Sequence, residues 1–171
     1  MTIHSGHPFM PPEGDRDPLR RFRGRIPAPV TVWATGEGRQ RRGFTVSSLL
    51  IADGEPGMIA GLIDEDSDFA DALDEVFTVN ILTIEHVTMA EAFAGIGPAP
   101  GGPFTLGTWR DSDWGPVLER SGGWLGARVI PGERRRLGWG LLVEATIEHL
   151  EVGAHPAMAH LRGHYRDLRE D

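Results

Sequence analysis

Thr45, Ser47 and Ser48 place three hydroxyls on one short segment, Gly43-Phe44-Thr45-Val46-Ser47-Ser48-Leu49-Leu50-Ile51, whose make-up is that of a β-strand. Hydroxyls on a rigid strand can hydrogen-bond the polar edge of a ligand, and they serve equally well as ordinary strand formers on a half-exposed face. Asn80 is a polar side chain inside the apolar run Phe77-Thr78-Val79-Asn80-Ile81-Leu82, so it needs buried partners and has a structural reading as good as a ligand-binding one. His155, His160 and His164 have the spacing of metal ligands on a helix. Gly163 and the surrounding pattern favour a strand, where four residues span roughly 13 Å and one ion cannot bridge them. The acidic run Asp64-Glu65-Asp66-Ser67-Asp68 suits a hard cation or, better, the start of a helix, where carboxylates meet the positive end of the dipole. No metal site is expected. Gly36-Glu37-Gly38 begins like a dinucleotide fingerprint, but the third glycine is missing and a strand follows, which leaves a hairpin turn.

The chemistry that the sequence lacks is as informative. Without cysteine there is no thiolate nucleophile, zinc–thiolate site or iron–sulfur cluster. All 17 basic residues are Arg, which excludes a Schiff-base lysine and a phosphate-loop lysine; anions must be met by Arg or by backbone amides. A formal charge of -8 opposes binding to nucleic acid and to anionic membranes. Residues 1–14 have neither a basic nor an apolar leader segment, and no run approaches the roughly 18 apolar residues of a bilayer helix, so a cytoplasmic protein is expected.

The elements that must position these residues follow from pattern. Residues 1–17, rich in Pro, Gly and His, read as an extended or disordered arm, and Arg20, Arg21, Arg23 and Arg25 as a solvated helical turn. Strands are expected at Val30-Thr31-Val32-Trp33-Ala34, at 43–51, at Met58-Ile59-Ala60-Gly61-Leu62-Ile63, at 77–82, 124–130 and 137–152, and from about 157 to 165. Ser67 or Asp66 caps a helix running to residue 75, with Phe69, Ala72, Leu73 and Val76 on its apolar face; a second short helix covers about 85–94, and 95–113 reads as loop. Many strands, few short helices and 23 glycines give an all-β protein with a closed antiparallel barrel.

Four segments, taken in order, carry a resemblance: the strand Gly43 to Ser48, the strand Phe77 to Leu82, the helix end Met89-Ala90-Glu91-Ala92-Phe93-Ala94-Gly95, and the tail Pro156-Ala157-Met158-Ala159-His160-Leu161-Arg162-Gly163-His164-Tyr165-Arg166. With Gly115-Pro116-Val117-Leu118 and Trp124-Leu125 between them, residues 26–166 resemble the flavin reductase-like family. The resemblance implies an FMN-binding split β-barrel over residues 26–171 behind an arm of residues 1–25. It also implies a homodimer that reduces FMN, with FAD less favoured, using NAD(P)H as co-substrate, and that often serves a partner monooxygenase.

On that resemblance Phe44, Thr45, Val46, Ser47 and Ser48 hold the flavin, and Asp64 and Ser67 form its second loop, at a helix start whose free N–H groups suit a phosphate. Asn80 lies on the matched strand, Phe93 near the flavin wall, and Arg162, Gly163, His164 and Tyr165 beside flavin and nicotinamide. Two departures stand out. Glu65, Asp66 and Asp68 occupy a loop where relatives have a basic residue, and Gly132-Glu133-Arg134 replaces a Gly-Asp-His element, which leaves Arg134 and His164 as catalytic candidates. The rival reading is a barrel that binds a flavin, a deazaflavin or haem without turning over NAD(P)H, or one kept for dimerisation alone.

Overall fold

The strand at Thr31–Thr35 is buried along its whole length because both of its faces are covered. Trp33 points into one apolar core with Phe69, Phe77 and Val143, while Val32 and Ala34 point into a second with Met89, Phe93 and Leu118. In the computed structural model, which describes residues 17–169, this strand is β2, after α1 (Pro18–Arg23) and β1 (Ala28–Pro29). Of the arm expected over residues 1–17, residues 1–16 lie outside the described residues; Arg20, Arg21 and Arg23 of the basic cluster fall on α1, which buries none of its residues, and Arg25 follows it.

The chain continues through β3 (Arg42–Val46), β4 (Leu49–Ala52), β5 (Met58–Ile63), α2 (Asp68–Ala72), β6 (Val76–Ile81), α3 (Val87–Phe93), β7 (Trp109–Ser112), β8 (Gly115–Leu118), β9 (Gly123–Val129), β10 (Arg136–Leu137), β11 (Gly140–Val152), β12 (Met158–Leu161) and β13 (His164–Asp167). The main sheet is antiparallel in the order β3-β2-β6-β9-β11-β5-β4, with β10 paired to β11. Its two edge strands, β3 and β4, are separated in sequence by Ser47 and Ser48 alone. The sheet must therefore curl until its edges meet. They meet without forming a ladder, so the sheet is open and strongly curled where a closed barrel is expected. The Leu62 N–H donates to the Ser48 carbonyl (2.9 Å), continuing the β4–β5 pairing, and the Thr31 hydroxyl to the Val46 carbonyl (2.6 Å) within the β2–β3 pair, so the crossing is pinned at both of its ends.

Other departures from the sequence pattern have local causes. The strand expected over 43–51 is two strands on opposite edges. The segment 137–152 bends at Gly138, whose φ of 61° makes the β10–β11 turn. The segment 157–165 turns back at Arg162 and Gly163, with φ of 52° and 80°; two positive φ values make a two-residue hairpin turn that matches strand twist. Helix α2 is only one turn long, because Leu73 leaves helical geometry to insert its side chain into the core. Within 95–113, β7 pairs with β8.

Asn80 anchors β8 to the sheet. It is fully buried, accepts the Leu118 N–H at Oδ1 (2.8 Å), and donates through Nδ2 to the Val32 and Pro116 carbonyls (3.3 Å each) and to the Thr78 hydroxyl (3.2 Å). The Thr78 hydroxyl in turn donates to the Pro116 carbonyl. Every polar group of the amide has a partner inside the protein, so Asn80 is a packing residue and not a cofactor ligand. Replacing it by Ala leaves the buried Leu118 amide without its acceptor, an expected cost of about 1–3 kcal/mol. Urea unfolding of Asn80→Ala should show an earlier midpoint with an unchanged m value.

Candidate functional site

Ser47 and Ser48 are exposed at the seam, and among the described residues neither side chain makes a hydrogen bond. Because Ser48 lies against Leu62, the seam adjoins the end of β5 and the Asp64–Ser67 turn that follows it. Close approach here is possible because residue 61 is glycine: a Cβ would lie 2.6 Å from the Trp33 ring and 3.2 Å from the Ser48 carbonyl. Ile63 pairs with Leu141, and Arg136 pairs with Leu141 from the other side, which brings the β10–β11 hairpin to the same end of the sheet. At the tip of that hairpin Trp139 is 99% exposed. The tail hairpin arrives from the opposite flank: β12 pairs with β1, which leads directly into Thr31 opposite Val46.

The other hydroxyl and apolar candidates on β3 have work inside the fold. The Thr45 hydroxyl donates to the Ala90 carbonyl (2.6 Å) and pins α3 to β3. Val46 is buried in the core, and Phe44 packs against the same core on its half-exposed face. Phe93 forms an edge-to-face trio with Phe104 and Trp109, at centroid distances of 4.8 and 5.7 Å, and is 4% exposed. These residues position the seam; Ser47 and Ser48 are what it presents.

The Asp64–Ser67 turn is internally satisfied. Asp64 Oδ1 accepts the Asp66 N–H (3.0 Å), and the Asp64 carbonyl accepts the Ser67 hydroxyl (2.7 Å). Ser67 Oγ caps α2 by accepting the Ala70 N–H (3.1 Å), the role its sequence position gives it. At the far end of α2, Arg134 donates to the Leu73 carbonyl (2.6 Å), so this catalytic candidate serves as a helix cap. Arg136 pairs with Glu65 at 2.5 Å, a contact the sequence does not announce beyond the run Arg134-Arg135-Arg136 beside a strand. A groove of about 720 Å³ lies between the Asp74–Glu75 link that follows α2 and the end of β9 with the segment after it, lined by Asp74, Glu75, Arg128, Gly132, Arg134 and Leu141 among others.

On the tail, Arg162 and Gly163 form the exposed turn, and the Arg162 N–H donates to the Gly24 carbonyl (2.8 Å). His164 is exposed, whereas Tyr165 is half-buried against the second core, with its ring 5.1 Å from that of His160. Burial, assisted by Glu91, raises the Tyr165 pKa and keeps it a hydrogen-bond donor. Burial also lowers the pKa of His160, with His164 and Arg23 adding to the effect.

A sequence profile of the flavin reductase like domain matches residues 23–169. The chain belongs to the flavin reductase-like family. As a member it is a flavin oxidoreductase. Solved structures agree on the fold. The chain is similar to the flavin reductase PheA2 (18% identity, TM-score 0.79, covering 91% of this chain and 100% of that one) and to the NADH:FAD oxidoreductase SgcE6 of Streptomyces globisporus C-1027 (21%, 0.78, 95% and 98%). It is also similar to BorF, the flavin reductase component of a bacterial two-component tryptophan halogenase (19%, 0.77, 90% and 98%). A comparison with curated protein sequences gives no match.

The residues fit a flavin unevenly. Unbonded hydroxyls and strand backbone at the seam suit the ribityl chain and the polar edge of the ring, while the acidic, internally satisfied turn beside them does not suit a phosphate. Among the described residues no helix is long and apolar enough to cross a membrane.

Two half-buried histidines give the domain a pH dependence. The Thr83 N–H donates to His86 Nδ1 (3.1 Å), which requires an unprotonated Nδ1, and burial lowers the pKa of His86 as it does that of His160. The unfolded chain, with His near its ordinary pKa of about 6.5, binds more protons than the folded one below neutrality, so stability is intact above that value and declines as pH falls. Melting temperature should drop between pH 7.5 and pH 5.5, and His86→Gln/His160→Gln should flatten the decline; a slope equal to that of the parent would exclude both groups.

Proposed function

We propose that the chain is an NAD(P)H-dependent FMN reductase. The observation that carries this reading is the seam: exposed Ser47 and Ser48 hydroxyls and strand backbone at the meeting point of two sheet edges, the Asp64–Ser67 turn and the β10–β11 hairpin, in a member of the flavin reductase-like family. Bound flavin supplies a hydride acceptor at N5 and the nicotinamide a donor at C4. The chain's part is orientation. Ser47 and Ser48 hold the ribityl chain and the pyrimidine edge, and Arg162, exposed on its turn, meets the phosphates of the nicotinamide nucleotide. FMN is favoured over FAD because FAD would lay a second phosphate along the acidic turn. Hydride passage needs no general base, so an Arg134 tied to Leu73 and an exposed His164 do not count against activity.

Assembly follows from an uncovered face. On the side of β4, β5 and β11 away from the core, register aligns Leu50 with Ala60 and Leu62 with Leu142; Leu50 is 59% exposed and the other three are half-buried. We assign this wing to a homodimer contact, since a two-fold partner would bring the same apolar strip against it. The halogenase partnership named for BorF supports transfer of reduced flavin to a partner monooxygenase. A flavin carrier without NAD(P)H turnover is the second reading, favoured by the acidic Asp64–Ser67 turn.

Two experiments test the proposal. With NADH or NADPH and FMN, nicotinamide oxidation should be catalytic, and Ser47→Ala/Ser48→Ala should raise the flavin KM about tenfold by removing two hydrogen bonds. Saturable FMN binding without oxidation of either nicotinamide would establish the carrier instead. Light scattering should report a dimer that Leu50→Asp converts to monomer; a wild-type monomer would remove the proposed interface.

A further inference from the structure

The acidic turn beside the seam has a consequence for which flavins the enzyme takes, given the flavin reading above. Four amides of the turn and of the start of α2 are already committed: Asp66 N–H to Asp64 Oδ1, Ser67 N–H to the Asp64 carbonyl, Ala70 N–H to Ser67 Oγ and Asp71 N–H to the Ser67 carbonyl. The Ser67 hydroxyl donates to Asp64. Four carboxylates, Asp64, Glu65, Asp66 and Asp68, lie along the turn. A phosphate monoester with about -1.5 to -2 charges at pH 7 therefore meets repulsion and few available donors.

Among the described residues Arg136 is the cation paired with this turn, and Glu65 holds it. The guanidinium is 70% exposed and the Glu65 side chain 33% exposed. Such a pair is weak in itself, because solvent screens it. Its effect is on availability: Arg136 can face a phosphate only by leaving Glu65, and the carboxylate left behind then repels the same phosphate.

We propose that Glu65 is a specificity-determining residue that withholds Arg136 from the flavin's terminal phosphate, so that the enzyme recognises ring and ribityl chain and accepts riboflavin as readily as FMN. Removing the Glu65 charge should release Arg136 as a phosphate ligand and convert the site to an FMN-selective one.

Fluorescence titration of the full chain with riboflavin and with FMN tests this. Wild-type protein should bind the two within about threefold of each other. Glu65→Gln should tighten FMN about tenfold while leaving riboflavin unchanged, and added salt should weaken that gain. Glu65→Gln/Arg136→Ala should return FMN to its wild-type affinity. Asp66→Asn, which removes the same charge without freeing an Arg, should move FMN by less than about threefold. Riboflavin binding reports that each variant keeps a folded site. The proposal is overturned by a wild type that prefers FMN more than about tenfold, by Glu65→Gln shifting both flavins alike, by Glu65→Gln shifting neither, or by Asp66→Asn matching Glu65→Gln. In those cases saturable riboflavin binding leaves the reductase reading standing, whereas absence of binding by either flavin removes both.

Discussion

Two residues have to carry the chain from one edge of the main sheet to the other, and the rest of the molecule is arranged around that requirement. The step from β3 to β4 through Ser47 and Ser48 fixes the curl of the sheet, and the curl encloses the core of Trp33, Phe77, Ile59 and Val143. Gly61 lets Trp33 lie against β5 at the seam, and α2 closes the core with Phe69 and Leu73. The same step leaves two hydroxyls with no partner in the described structure, at the one place where strand ends, turn and hairpin converge. A closed ladder would have engaged more of that backbone; the open seam keeps it available to a ligand.

Much of this was legible in residue pattern, and the failures have physical reasons. β2, β5, β6 and β9 stood out because β-branched and apolar runs bounded by turn residues have few other uses, and Ser67 was readable as a cap from the acidic run before it. Nothing in the run Gly43 to Ile51 marks a change of sheet edge, because Ser47 and Ser48 are compatible with continuous strand; the break is set by Leu62 and Thr31, distant in sequence. Thr45 and Asn80 show a related limit. A hydroxyl or amide among apolar residues signals a needed partner, yet whether the partner is a ligand, α3 or β8 depends on tertiary contacts. Leu161-Arg162-Gly163-His164 reads as strand when glycine is counted as a break in helix only, whereas positive φ at two successive positions makes it a turn.

Electrostatics at the site is organised by arginines that also hold structure. Arg134 caps α2, Arg136 pairs with Glu65, and Arg128 bridges Glu75 and Glu148. With no lysine in the chain, each cation is planar and several-pronged, suited to binding a carbonyl or carboxylate in fixed geometry. The Gly-Asp-His element that the resemblance implies is thereby replaced by a segment whose Arg134 fastens the end of α2.

The seam also bears on how the chain finds its fold. β2–β3 and β4–β5 are both local hairpins, and the crossing between them is two residues long, so the opposite edges of the finished sheet are neighbours in sequence. Bringing those edges together therefore costs little loop-closure entropy. The expensive step is insertion of β11 beside β5, since Ile63 and Leu141 must meet across most of the domain. A folding nucleus that contains both margins of the sheet before its middle is filled would assemble this protein from the rim inward.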